Sequence, residues 1–306
     1  MKTPRTVACA VALLLMVMDA AAAGEAGSAA ALRAQFSALK DSFGNNPFHR
    51  PLHMESVEGP EGVAGEIHAI VGHPFATARA ALVQAPQWCD VLILHLNTKF
   101  CRPATAGKAT VLHVIIGKKF DQPVADAYRV DFVYRVAASS ADYFQVNLDA
   151  REGPLGTRDY RVMLEATPGD GGRTLVRLAY SYSFGMAGRL AMQAYLATAG
   201  RDKVGFTVVG QEPGSPPRYI GGMRGLVERN TMRYYLAIEA FVGALSAPAS
   251  ARLEKSLGDW YTATELFARQ LHEMERGDYL AMKRKEHARQ QSDLVSGPAP
   301  ARDAGG

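Results

Sequence analysis

Five successive runs in the middle of the chain, residues 109–116, 128–136, 143–150, 157–166 and 174–184, have the composition of strands and are parted by turns containing Gly, Asp, Pro or Ser. Two of them alternate strictly. Tyr128, Val130, Phe132, Tyr134 and Val136 interleave with Arg129, Asp131, Val133 and Arg135, and Val176, Leu178, Tyr180, Tyr182 and Phe184 interleave with Arg177, Ala179, Ser181 and Ser183. Successive side chains on a strand point to opposite faces, so this pattern demands an antiparallel meander with one wet face and one covered face. The cover must come from elsewhere in the chain.

Downstream, residues 219–245 contain no proline, and Met223, Leu226, Val227, Asn230, Tyr234, Ile238, Phe241 and Leu245 recur at intervals of mostly three and four. That spacing predicts a long amphipathic helix whose apolar side covers the sheet. Upstream, 52–58 and 63–71 read as a hairpin joined by Glu58-Gly59-Pro60-Glu61-Gly62, followed by a helix from Pro74 with Phe75, Ala78, Leu82 and Val83 on its buried side, and a short helical segment at 89–96. A short amphipathic helix with Leu32, Phe36, Leu39 and Phe43 precedes them and stops at Gly44-Asn45-Asn46-Pro47.

Residues 185–210, with a small helix near 190–198 and a strand-like Phe206-Thr207-Val208-Val209, form an insertion before the long helix. Beyond a break at Pro248, residues 251–290 read as helical, with Leu253, Leu257, Trp260, Tyr261, Thr264, Phe267, Leu271, Met274 and Tyr279 on one stripe and Gly258 and Gly277 as weak points. This extension is expected to pack back on the domain. Lys283-Arg284-Lys285 with Arg289 reads as a solvated helix end rather than a polyanion or membrane contact.

The N-terminus carries Lys2 and Arg5, an apolar run at 7–18 and small residues at 20–23, the order of a secretory leader. The run is shorter than the roughly 20 residues a bilayer-spanning helix needs, so cleavage near Ala23 is expected rather than an uncleaved anchor. The destination is then the periplasm or the medium. Removal of the leader leaves Cys89 and Cys101, and two thiols in an exported chain suggest one disulfide, with buried free thiols as the alternative. The formal charge of +4 is modest and acids alternate with bases, which argues against a nucleic-acid partner and identifies no other.

The order of hairpin, helices, antiparallel strands and long closing helix resembles the helix-grip fold of the START and Bet v 1-like (SRPBCC) superfamily. The local signals are the strand at 66–71 running through Gly72-His73-Pro74-Phe75 into a helix, and the helix at 222–245 after 204–209. The resemblance implies an α+β fold over 50–245 that holds a lipid or other apolar molecule between curved sheet and helix. Together with the leader and the composition of the two ends, this divides the chain into a leader at 1–23, an N-terminal helix and linker at 24–49, the helix-grip domain, a helical extension at 246–291 and a disordered tail at 292–306. The 185–210 insertion and the extension lie outside the minimal pattern.

A curved sheet can leave a gap beneath a straight helix, and rings can line it while hydroxyls orient a guest. Phe132, Tyr134, Tyr160, Tyr180, Tyr182 and Phe184 are placed on the sheet wall of such a gap, and Met223, Asn230, Tyr234 and Phe241 on the helix. Catalytic motifs are missing. His49 with His53 and His68 with His73 lack a third ligand, His272-Glu273 lacks the second histidine of HExxH, no GxSxG occurs, and Gly169-Asp170-Gly171-Gly172 is a turn between strands. No metal or cofactor is expected and no catalytic residue is nominated.

Three functions are compatible with this reading: a carrier for a hydrophobic or amphipathic molecule, possible transient contact with a membrane surface included; a cyclase or aromatase using an inward His113 or Asp131; and an envelope interaction protein whose gap is filled by its own side chains. Oligomeric state is not readable from the sequence.

Overall fold

The computed structural model describes residues 27–44, 46–198, 200–296 and 302–303. The leader read at 1–23 therefore lies outside the described residues. Every run read as a strand is one: β1 (Leu52–Glu58), β2 (Gly62–Val71), β4 (Ala109–Ile116), β5 (Tyr128–Ser139), β6 (Phe144–Glu152), β7 (Thr157–Pro168) and β8 (Thr174–Phe184). They pair antiparallel in the order β1-β2-β8-β7-β6-β5-β4-β3. The sequence pattern misses β3 (Thr98–Ala106). Pro103 and the cationic Lys99 and Arg102 conceal it, and a proline is tolerated there because β3 is an edge strand. Register shifts at Thr98/Phe100, Val136/Ala138 and Arg158/Arg161 are the kind of bulge that bends a sheet.

The helix α5 (Gly222–Ala244) packs on β2, β1 and β8, as the alternation of the strands requires. It is not one-sided. Glu228, Arg229, Thr231 and Arg233 are as buried as its apolar residues, because α6 (Arg252–Glu265) packs against it as well. A helix buried nearly all round shows little amphipathicity. The single helix read over 251–290 is three: α6, α7 (Ala268–Leu271) and α8 (Arg276–Ser296). The chain breaks at 266–267 and 272–275, not at Gly258 or Gly277, since Trp260 and Tyr279 stack at 4.9 Å and fold α8 back along α6.

The solvated reading of the basic cluster holds for the exposed Arg284 and Lys285 and is corrected for Lys283. Lys283 is sealed from solvent, donating to Glu286, His95 O and Thr98 O, while Arg284 pairs with Glu254 and Lys285 with Asp121. The tail read as disordered from 292 is helical to Ser296, and residues 302–303 add a short parallel rung to β5; its remainder lies outside the described residues.

Three further helices flank the sheet. α1 (Ala29–Ala38) sets Leu32 and Phe36 on the outer face of the sheet against Tyr143, so the face read as wet is covered there. Beneath it Arg177 bridges Glu66 and Glu165 at 2.6 Å each. Between β2 and β3 run α2 (Phe75–Leu82) and α3 (Ala85–Leu92), and a Cys89–Cys101 disulfide ties α3 to β3, with Trp88 buried beside it. Among the described residues no helix is long and apolar enough to cross a membrane.

Candidate functional site

The residues placed on the sheet wall are neighbours in space. Phe132 meets Tyr160 at 6.4 Å, Tyr160 stacks on Tyr182 at 5.2 Å, Tyr180 lies 5.8 Å from Tyr182, and Tyr182 meets Phe184 at 6.4 Å between ring centroids. Strand periodicity puts them there: Tyr180, Tyr182 and Phe184 are alternate residues of β8, and Phe132 and Tyr134 are alternate residues of β5. From α5, Tyr234 reaches Tyr180 at 5.2 Å, and the Asn230 side chain lies near the Tyr180 hydroxyl. Met223 and Phe241 are buried on the same helix, but 18 residues apart they are separated by about 27 Å at ~1.5 Å per residue. They do not share one small site.

These phenols are neutral. Burial pushes Tyr134 and Tyr160 up to about 12, and Tyr180, Tyr182 and Tyr234 still further, with neighbouring phenols adding to the shift of Tyr180. Tyr160 shares a hydrogen bond of 2.8 Å with Thr157 Oγ1. The buried Tyr134 hydroxyl has no partner.

Sequence reasoning missed His95, which stacks on Tyr234 at 4.9 Å and is sealed from solvent. Burial first, then the charges of Arg233, Lys283, Lys119 and Lys99, hold its pKa far below the usual imidazole value. Its Nδ1 accepts the Asn97 N–H at 3.1 Å, which places the proton on Nε2, and Nε2 has no partner. The short segment between α3 and β3 carries no pattern that would have revealed it.

The hollow expected between sheet and helix is not open. The best-formed hollows each hold about 10 Å³, roughly one water. One lies toward the other half of α5, lined by Phe144, Leu164, Val176, Tyr235 and Ile238, and touches none of the ten residues expected to line a site. The rings named above pack on one another along β5, β7 and β8, and Tyr180 carries the contact to Tyr234 of α5. The acid-base candidates also fail: His113 and Asp131 pair at 2.7 Å on the outer face of the sheet beside Arg129, away from the gap. Among the described residues no group of His, Cys, Asp or Glu side chains is placed to hold a metal.

The inserted segment closes the aromatic end of the gap. α4 (Met186–Ala197) follows Phe184 directly and packs on α5, β8 and the 154–156 turn, with Met192 and Leu196 against the core. Its outer side exposes Met186 and Leu190. Beyond it, β9 (Val208–Gly210) and β10 (Arg218–Tyr219) form a small hairpin, anchored by Glu228 of α5, whose carboxylate accepts from Ser56 Oγ at 2.6 Å, Thr207 Oγ1 at 2.6 Å and the amides of Phe206 and Thr207.

Strand order and the seat of α5 define an α+β helix-grip arrangement, an antiparallel sheet packed against a long helix with further helices after it. No protein-family model matches the chain, and no curated protein matches it. Among solved structures, it is similar to norcoclaurine synthase from Thalictrum flavum, with 10% identity over 49% of this chain and 77% of that one and a TM-score of 0.31. It is also similar to the Zhui aromatase/cyclase from Streptomyces sp. R1128, with 12% identity over 68% and 94% and a TM-score of 0.30. A third is EF2215 of unknown function from Enterococcus faecalis, with 10% identity over 60% and 91% and a TM-score of 0.28. Likeness at this level carries no argument, and the fold description rests on the strand order and on α5.

Proposed function

We propose that this protein is exported to the periplasm and there binds a hydrophobic or amphipathic small molecule such as a lipid at the phenol-lined end of the gap between sheet and α5. The observation that carries the reading is the polar content of that interior. Neutral phenols, an amide and a neutral imidazole are gathered among apolar side chains, and two of their buried polar atoms, the Tyr134 hydroxyl and His95 Nε2, lack partners. Buried polar atoms without a partner call for a water or a ligand group. In this reading a guest enters as α4, which packs on the 154–156 turn, moves away from it. Export is supported by the leader-like N-terminus and by the Cys89–Cys101 bridge, which suits an oxidising compartment.

The test is native mass spectrometry of freshly purified protein, together with uptake of a fluorescent fatty acid or sterol probe by delipidated protein. Copurified lipid, or saturable uptake that a Tyr160→Trp substitution weakens, is the expected result; repeated failure of both refutes binding. A second reading, an envelope interaction protein whose core is permanently filled, is favoured by one observation, that the two best-formed hollows hold about 10 Å³ each. It predicts no copurified lipid and no uptake.

A further inference from the structure

His95 lies in the link between α3 and β3, and its surroundings engage every polar atom it has but one. Its amide donates to Leu92 O at 3.1 Å, and its carbonyl accepts from Thr98 N at 3.0 Å and from Lys283 Nζ at 2.7 Å. The ring accepts the Asn97 N–H at Nδ1 and lies on Tyr234 with 27° between the planes. Asn97 is itself pinned, donating through Nδ2 to Gly117 O. Turning the imidazole over to find Nε2 an acceptor would give up the Asn97 bond. The Nε2–H is therefore a fixed donor, in a residue 3% exposed, with no acceptor among the described residues.

The donor also borders the phenols. Ring contacts run from His95 to Tyr234, from Tyr234 to Tyr180 at 5.2 Å, and from Tyr180 to Tyr182 at 5.8 Å. A buried N–H left without an acceptor is unfavourable, and this one is aligned before any guest arrives. Its neighbours set the kind of oxygen that suits it. The largest charges acting on the ring are positive, from Arg233, Lys283, Lys119 and Lys99 in that order. The nearby carboxylates, Glu286 and Glu273, accept from these same four cations and not from Nε2. A neutral donor in a positive potential favours an anionic acceptor, and one that brings no proton of its own needing a partner.

We propose that the guest of the phenol-lined interior is a long-chain monocarboxylic acid whose carboxylate accepts the His95 Nε2–H while its hydrocarbon chain lies along Tyr234, Tyr180, Tyr182 and Tyr160. The assignment rests on the reading that an apolar guest enters beneath α5, and narrows that guest to one chemical class. A methyl ester keeps the chain and the carbonyl oxygen but has no charge, so acid against ester isolates the contact.

The delipidated full chain and its His95→Phe variant are loaded at neutral pH with the uncharged fluorescent probe phenylnaphthylamine, which is then displaced by dodecanoic acid or by methyl dodecanoate. The parent is expected to bind the acid at least about ten-fold more tightly than the ester, the range of a hydrogen bond to a charged group. His95→Phe keeps a ring on Tyr234 without the donor, and should lose about ten-fold in affinity for the acid while holding the ester within about three-fold. Equal displacement by acid and ester in the parent, or an acid preference that survives His95→Phe, overturns the proposal alone. Failure of the parent to bind the probe and both competitors refutes the apolar-guest reading, and the proposal falls with it. Should the variant not fold, the parent decides the matter by nuclear magnetic resonance: a downfield move of the His95 Nε2 proton with saturating acid and not with ester supports the contact, and an unmoved proton refutes it.

Discussion

Neutralising Glu286 should be among the most damaging single changes to this protein. Its carboxylate accepts from Lys283 Nζ at 2.7 Å and Lys99 Nζ at 3.0 Å, and all three side chains are sealed where α8 packs on β3. The lysines also donate to carbonyls, Lys99 to Leu96 O at 3.0 Å and Lys283 to His95 O and Thr98 O at 2.7 and 2.8 Å. Glu286→Gln keeps the shape and most hydrogen bonds while removing the single negative charge that faces both ammonium groups. Removing one partner of a buried ion pair costs about 3–5 kcal/mol because the remaining charge is uncompensated. For a chain of this size that corresponds to a fall in Tm of roughly 6–20 °C, at about 2–4 °C per kcal/mol. Urea unfolding and scanning calorimetry would measure it. A loss below about 1 kcal/mol would show that the triad is solvated or that a lysine deprotonates at little cost, and the reasoning would fail. The control is the triple change Lys99→Met, Lys283→Met, Glu286→Met, which removes every charge together and should recover most of the loss, since apolar replacement of whole buried charge clusters is often neutral.

Three other outcomes are expected. Reducing the Cys89–Cys101 bridge, which closes a loop with a sequence separation of 12, should cost about 3 kcal/mol by the chain-entropy relation, read as a lower urea midpoint in dithiothreitol; an unchanged midpoint would contradict it. Gly188→Val should loosen α4, because a Cβ there would stand 2.9 Å from Gly156 O and 3.3 Å from Leu155 O, both backbone atoms; apolar-probe uptake should quicken, and an unaltered rate would count against α4 as the moving part. Stability should rise from about pH 8 towards 10 and then fall. Lys283 and Lys119 have native values of about 8, so above that pH the unfolded chain holds protons that the folded chain has released, which favours folding as pH rises. Above the ordinary phenol value the buried tyrosines, Tyr134 and Tyr160 at about 12 among them, keep protons that the unfolded chain loses, which reverses the slope. A urea midpoint that stays flat between pH 8 and 10 would refute the assignment.

The candidate interior was partly legible. Phe132, Tyr160, Tyr180, Tyr182 and Phe184 come together because residues two apart on a strand share a face whatever the sheet packs against. His95 escaped notice because it stands in a short link without periodicity. The lysine and glutamate triad escaped because charged residues on a predicted helix read as solvated until another element is known to cover them.

Alternation and turn chemistry are local, and they alone determined the meander of β4 to β8, the β1–β2 hairpin and the long helix that must lie on them. Only the tertiary structure decided that α5 has two buried sides, that β3 closes the edge, that His113 and Asp131 face outward, and that the rings pack on one another beneath α5. Those facts depend on which surfaces meet at a distance along the chain and on how much volume remains between them. Periodicity specifies which side of an element is turned inward, whereas free space is a property of all the facing side chains at once.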